Sequence, residues 1–191
     1  TADDDATKRD TGTGGFALLG ESSLPVYETL TAKAGIDAFG LDEAMMRDVS
    51  VVPFRIREGD DASCLNLNRA QRPVLVGVDS ALLAERKAFA FASGGEEGWS
   101  ALKSDGDVIP AIADQATAMW GLGLGIGDTL KYEDASGREF EVKLVGMLAG
   151  SVLQGKMIID EKPFLTHFPD ASGYSFFLID APEGRAADLS A

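Results

Sequence analysis

The apolar residues of this chain come in runs no longer than a strand. Val74–Val78 and Met157–Ile159 are typical, and nothing approaches the roughly 20 consecutive apolar residues that a helix needs to span a bilayer. Alternation and turn signals surround these runs. Thr129–Glu133 and Glu139–Met147 flank Asp134-Ala-Ser-Gly137, a polar turn between two alternating segments, which is the pattern of a β-hairpin. In the same half, Val108–Ile112, Lys156–Asp160 and Tyr174–Asp180 read as strands, and Glu161–Phe168 reads as a helix with Pro163 in its first turn. Asp114 is placed to N-cap a helix over Gln115–Leu122, which the glycines of Gly121-Leu-Gly-Leu-Gly-Ile-Gly127 would end.

The first half is less regular. Phe16–Leu19 reads as a short strand. Pro25 reads as a helix start, that helix reaching Lys33 and stopping at Gly35, and a second short helix is expected over Leu41–Met46. Val49–Arg57 is a strand in which Phe54 and Ile56 alternate against Arg55 and Arg57, and Pro53 marks an edge or a bulge. Cys64–Asn68 alternates like another strand, after a turn at Glu58–Asp61. Val74–Val78, Ser80–Arg86 and Ala88–Ala92 continue as strand, helix and strand, followed by a break at Ser93–Gly98, a helical turn at Trp99–Lys103 and a turn at Ser104–Asp107. The sum is an α+β fold with a mixed sheet and short helices.

A chain of 191 residues fits one domain or two small lobes. Two lobes would meet near residues 93–107. The expected division is then a linker over 1–15, an N-terminal lobe over 16–104, a second lobe over 105–182, and the start of a further segment at 183–191. The polar beginning without a Met or an apolar leader fits a piece of a longer chain. A chain this long buries about 70% of the surface it exposes when unfolded, so it needs no staple. Its single cysteine, Cys64, forms no intrachain disulfide, and its single histidine, His167, has no second imidazole with which to share a metal. Acidic residues outnumber basic ones 31 to 17, for a net charge of −14. Nucleic-acid backbones and anionic lipid surfaces both recruit clustered Lys and Arg, so neither is an expected partner.

Each candidate for chemistry has a simpler structural account. The glycine run at 121–127 lacks the Lys-Ser/Thr of a phosphate loop, is not G-x-G-x-x-G, and follows a helix rather than a strand. No nucleotide site is expected there, and Gly125 or Gly127 is expected to have positive φ. Gly20-Glu-Ser-Ser-Leu24 has Leu24 where a nucleophile elbow needs its second glycine. His167 would be the one base available to a triad through Ser22, and it sits at the end of a short helix. Cys64 lies in an alternating apolar segment, where an inert thiol is the ordinary reading. Asp60-Asp61 and Glu96-Glu97 fall in glycine-containing turns without a further acid to complete a calcium loop. The segment Asn66–Pro73 stands apart, because Asn66, Asn68, Arg69, Gln71 and Arg72 concentrate amide and guanidinium groups just before an apolar strand. They either cap neighbouring backbone or form a contact surface with another region of a larger assembly, where arginine is enriched. The contact surface is the sharper expectation.

Residues 105–182 resemble the periplasmic core of FtsX-like/MacB-like ABC-transporter permeases. The resemblance is carried by Val108-Ile-Pro-Ala-Ile-Ala-Asp114, a helix, Gly125-Ile-Gly-Asp-Thr-Leu130, Phe140-Glu-Val-Lys-Leu-Val-Gly-Met147, Lys156–Asp160, a short helix with Phe164, and Tyr174–Asp180, in that order. Thr11-Gly-Thr-Gly-Gly-Phe16, Gly20-Glu-Ser-Ser-Leu-Pro25 and Ser63–Pro73 look like a subgroup of large, multi-pass members. The resemblance implies a domain outside the inner membrane, facing the periplasm or the cell exterior. Its partners would be the transmembrane helices of the parent permease and, through them, a cytoplasmic ATPase. Such a domain transmits ATP-driven motion to cargo or partners, binds no nucleotide or cofactor, and supplies no catalytic residue, so no enzyme is expected. A free-standing ligand-binding module, which needs a concave apolar pocket, is the alternative, with a hydrolase using Ser22 or Cys64 behind it.

Overall fold

The computed structural model describes residues 8–40, 42–44, 46–57, 72–103 and 106–182. In chain order these form β1 (Leu18–Val26), α1 (Lys33–Ala38), β2 (Ser50–Arg57), β3 (Val74–Val78), α2 (Ser80–Arg86) and β4 (Phe91–Ser93). They continue as β5 (Ile109–Asp114), β6 (Thr129–Glu133), β7 (Glu139–Leu148), β8 (Lys156–Asp160), α3 (Glu161–His167) and β9 (Tyr174–Asp180). A 3-10 turn over Gly98–Leu102 and a π-helical segment over Ala116–Gly121 complete the set. The fold is α+β, built on one mixed sheet of nine strands in the order β1-β9-β2-β3-β8-β5-β7, with β4 and β6 each pairing with β7. Two neighbouring pairs, β3 with β8 and β5 with β7, run parallel. Strands from residues 16–104 and from 105–182 are interleaved in this sheet, so both spans contribute to one layer.

Successive strand residues point to opposite faces, and here both faces are buried. Val76, Val78, Ile112 and Ile158 join one apolar cluster with Leu83 of α2, Phe16 and Trp99. Their neighbours Leu75, Ala111, Ala113, Met157 and Ile159 join a second cluster with Phe164 and Phe168. This explains why Val74–Val78 and Lys156–Asp160 read as continuous apolar runs, as strands covered on two sides do. At Gly77 the α3 side admits no side chain, since a Cβ there would lie 2.5 Å from Cγ of Phe164.

The boundaries of α2, β3, β6, β8 and β9 are those expected, and the Asp134–Gly137 turn closes the hairpin of β6 and β7. Several expectations are corrected. No helix starts at Pro25: β1 runs through it to Val26, and the helix is Lys33–Ala38 with Gly35 inside. Among the described residues β1 pairs only with β9, and an edge strand tolerates the missing proline N–H. Gly35 serves packing rather than termination, because a Cβ there would overlap the carbonyl of Thr29. The helix expected over Leu41–Met46 is, in its described residues, one turn closed by Met46 N–H donating to the Asp42 carbonyl at 3.0 Å. Pro53 lies within an internal strand, opposite Phe177 of β9, but the β3 ladder begins only at Phe54, so its β3 side is free. The strand expected over Ala88–Ala92 is shortened to Phe91–Ser93, because Lys87 and Phe89 take positive φ (53° and 68°) and turn the chain. Asp114 ends β5, and its Oδ1 still accepts from Ala116 N–H at 2.9 Å as a cap would.

Residues 11–15, expected as linker, are packed. Gly12 accepts from Val152 N–H at 2.9 Å, and a Cβ on Gly12 would overlap the Gly150 carbonyl. Here glycine allows close backbone approach rather than slack. The strand and turn expected over 58–68 lie outside the described residues.

The sharpest packing test is Gly77→Val. Phe164 is fully buried and a Cβ at position 77 would lie 2.5 Å from its Cγ, so the variant should lose about 2 kcal/mol or more, as overpacked cores do. Urea unfolding of both proteins checks this, the change appearing in the midpoint with little change in slope.

Candidate interaction surface

Of the five polar residues singled out in the sequence, Arg72 alone falls among the described residues. It is exposed, next to buried Pro73 at the start of β3. Pro73 accepts a hydrogen bond from the Tyr132 hydroxyl at 3.0 Å. Burial pushes the Tyr132 phenol well above its ordinary range, and the nearby charge of Arg72 pulls it the other way. Asn66, Asn68, Arg69 and Gln71, with Cys64 and Asp60-Asp61, lie outside the described residues.

The other candidates have local partners. Ser22 donates to the Leu24 carbonyl at 2.6 Å on exposed strand β1. His167 stacks on Phe140 with ring centroids 3.9 Å apart, and its carbonyl accepts from Ala135 N–H. Burial lowers the His167 pKa, against a raising contribution from Asp134. Glu96 and Glu97 are exposed. In the glycine run, Gly123 (φ 66°) and Gly127 (φ 93°) are left-handed. Gly125 N–H donates to Asp128 Oδ2 at 2.8 Å, and Gly127 N–H donates to the Leu144 carbonyl at 2.8 Å. The run is a hydrogen-bonded turn into β6, as its residue pattern implies.

Three arrangements were not read from the sequence. The first is a polar cluster under α3. Arg55, 8% exposed although the alternation placed it outward, donates from Nε to Glu161 Oε2 at 3.1 Å and from Nη2 to the Tyr174 hydroxyl at 2.9 Å. Its guanidinium also sits 4.0 Å from the Tyr174 ring centroid. Beside it, Ser80 donates to Asp160 Oδ2 at 2.5 Å, and Asp79 and Asp160 cap the first turns of α2 and α3. A buried arginine needs such partners, because an unpaired buried charge is costly. The sequence signal was an arginine between buried strand residues, with an acid starting the helix that crosses them.

The second arrangement is a clamp. Arg86, at the end of α2, donates to the Gly15 carbonyl at 2.9 Å, pairs with Asp180 at 2.6 Å and lies over the Phe16 ring at 4.3 Å. The third is apolar: Met119, Trp120 and Ile126 project from the π-helical and glycine segment, with Trp120 84% exposed. Near the other edge, Thr13, Phe16, Ala17, Leu18, Leu19, Val152 and Leu178 line a shallow apolar depression of about 120 Å³. Among the described residues no three His, Cys, Asp or Glu side chains gather as metal ligands, and no helix is long and apolar enough to cross a membrane.

No family model and no curated protein matches the chain. A solved structure to which it is similar is the extracellular domain of the noncanonic ABC-type transporter YknZ from Gram-positive bacteria. The two share 16% sequence identity over 90% of each chain, with a TM-score of 0.43.

Two measurements test the electrostatics of this face. Glu161→Gln strands the Arg55 charge and should cost about 1–3 kcal/mol, less than a fully buried pair, because Glu161 is 27% exposed. Asp134 accepts from the Ser136 hydroxyl and from the backbone N–H of Arg138 and Ser136, foremost the hydroxyl, which holds its carboxyl well below the usual carboxylate range. The unfolded chain therefore takes up a proton there first, near pH 4. This contribution to stability is present above that pH and declines below it. The melting temperature of wild type should fall more steeply with acid than that of Asp134→Asn.

Proposed function

We propose that this chain is the extracytoplasmic domain of an ABC-transporter permease of the FtsX-like/MacB-like class, relaying ATP-driven motion to cargo or partners and doing no chemistry itself. The observation that carries the reading is the way residues 108–180 fold. The resemblance calls for a strand, a helix, a Gly-Asp strand opening and a long strand. The chain folds as β5, a helical segment, the Gly125–Asp128 turn that launches β6, and then β7. Of the side chains named for a hydrolase, Ser22 is bonded to its own strand and His167 is stacked on Phe140, while Cys64 lies outside the described residues.

On this reading the partners are the transmembrane helices of the parent permease and its cytoplasmic ATPase, and the domain faces the periplasm or the cell exterior. Arg72, with Asn66, Asn68, Arg69 and Gln71, is the proposed contact with other parts of the permease. For the ligand-binding alternative, the apolar depression among the described residues, at about 120 Å³, is by itself short of the roughly 300–1,000 Å³ of small-molecule sites.

A topology reporter tests the proposal. Alkaline phosphatase, which folds only outside the cytoplasm, is inserted at the exposed residues Ala135–Gly137 of the β6–β7 turn of the full-length gene product. It should be active, and a fluorescent protein that matures only inside should stay dark at the same position. The opposite pair of results overturns the reading.

A further inference from the structure

We propose that residues 8–15 form a releasable strap, closed onto the body of the domain in this structure and able to lift from it as one unit while the sheet stays intact. Its sequence, Lys-Arg-Asp-Thr-Gly-Thr-Gly-Gly, holds no Val, Leu, Ile, Met or aromatic residue. Burial of apolar side chains, the dominant favourable term in folding, therefore contributes little to holding it. Phe16, the next residue, is 4% exposed and belongs to the first core cluster. The boundary between a segment without apolar anchors and one with them falls at Gly14 and Gly15. Both are left-handed, with φ of 64° and 74°, a conformation that glycine adopts without a steric penalty. These two residues are the hinge.

Hydrogen bonds fasten the strap to the body. The Arg9 carbonyl accepts from Phe89 N–H at 2.7 Å, and the Gly12 carbonyl accepts from Val152 N–H at 2.9 Å. Both are neutral bonds of modest net strength, since water replaces them on opening. The Gly15 carbonyl accepts from Arg86 Nη2 at 2.9 Å, and a bond from a charged donor is the stronger kind. Arg86 is therefore the latch. Thr11 N–H to the Lys8 carbonyl and Gly14 N–H to the Thr11 carbonyl close turns within the strap, and these bonds survive when it moves whole.

Two features of the closed state are unfavourable, and both sit at these bonds. Arg86 Nε is buried without a hydrogen-bond partner, a rare condition in native interiors. Phe89 has φ 68°, a left-handed conformation that a bulky residue keeps only when its surroundings impose it, and such strain concentrates at switch regions. The atom that holds the Phe89 N–H in place is the Arg9 carbonyl of the strap. Lifting the strap admits water to Arg86 Nε and frees the Phe89 N–H. Released, its eight residues reach about 26 Å at roughly 3.3 Å per residue. On the transporter reading, on which this use of the strap rests, a connection from a preceding transmembrane helix gains that reach under load. Until then Arg86 passes the load to α2. The release itself does not rest on that reading.

The test is residue-resolved hydrogen exchange, read by NMR on the 191-residue chain. The Phe89 and Val152 amides report on the strap, because their acceptors are strap carbonyls. Their neighbours Ala88, bonded to the Leu83 carbonyl, and Ser151, bonded to the Asp114 carboxylate, have acceptors in the body. Corrected for intrinsic rates, Phe89 and Val152 should exchange about 100-fold faster than Ala88 and Ser151, as a local opening far below the global one requires. Arg86→Ala should speed both reporters together by about tenfold or more and leave Ala88 and Ser151 unchanged. Gly14→Ala should do the same, since a Cβ there would lie 2.8 Å from the Phe89 ring. The Arg86 bond is to Gly15, so a shared acceleration at Phe89 and Val152 reports the strap moving whole. Reporters as slow as their neighbours overturn the proposal, because the strap is then fixed. So does acceleration of all four amides, which makes the segment part of the global fold, or of one reporter alone, which leaves no single strap. None of these outcomes bears on the topology reporter, so the two readings stand or fall separately.

Discussion

Parallel pairing of β3 with β8 at the centre of the sheet is the constraint from which most of this structure follows. Parallel neighbours cannot be joined by a tight turn and need both faces covered. The chain meets the first demand with long connections and the second with short helices that begin where the two strands stop. Asp79, just past the last ladder residue of β3, and Asp160, the last of β8, each cap the helix that follows. α2 turns to one face and α3 to the other, as the membership of Leu83 and Phe164 in separate clusters shows. The close seat of Phe164 over Gly77 and the burial of Arg55 beneath Glu161 are consequences of α3 lying on that pair.

Local chemistry wrote the second half of the chain openly. Lys156–Asp160, Glu161–His167 and Tyr174–Asp180 are a strand, a helix and a strand because alternation, a capping acid and a proline in the first turn all agree within a few residues. The first half is governed by distant partners. Pro25 carries the local mark of a helix start, yet β9 captures the segment as a strand. Phe89 has high strand propensity, yet takes a left-handed φ because its N–H is held by the Arg9 carbonyl at 2.7 Å while its ring meets Phe16 and Trp99. Thr11–Gly15 has linker composition, but its glycines permit contact with the backbone at 150–152. No window of sequence contains those partners.

The candidate surfaces divide in the same way. The turn at Gly125–Asp128 was legible because its bonds are local. Arg55 was misplaced outward because alternation assumes one wet face, and this sheet has two dry ones. Trp120 was absorbed into the helix expected over Gln115–Leu122 and ended by glycines. What the pattern cannot register is that a widened helical segment turns Ala118 inward and leaves Trp120 largely exposed.

The relay of motion proposed above would require a body that moves as one piece, and the arrangement of the sheet is consistent with that requirement. Packed interiors resist compression and pass strain on rather than absorb it, and here a single sheet with two apolar faces joins strands from both halves of the sequence. Arg86 adds a specific tie. From the last turn of α2 it grips the carbonyl of Gly15, before the first strand, and the carboxylate of Asp180, at the end of the last. A displacement applied through either flank of the sheet edge thus reaches the same helix, and through Leu83 the first core cluster. That cluster contains Ile112 of β5, the strand whose far end carries the π-helical segment and Trp120. The two ends of the domain are therefore mechanically continuous through named contacts, with charge-assisted bonds at one end and an exposed aromatic at the other.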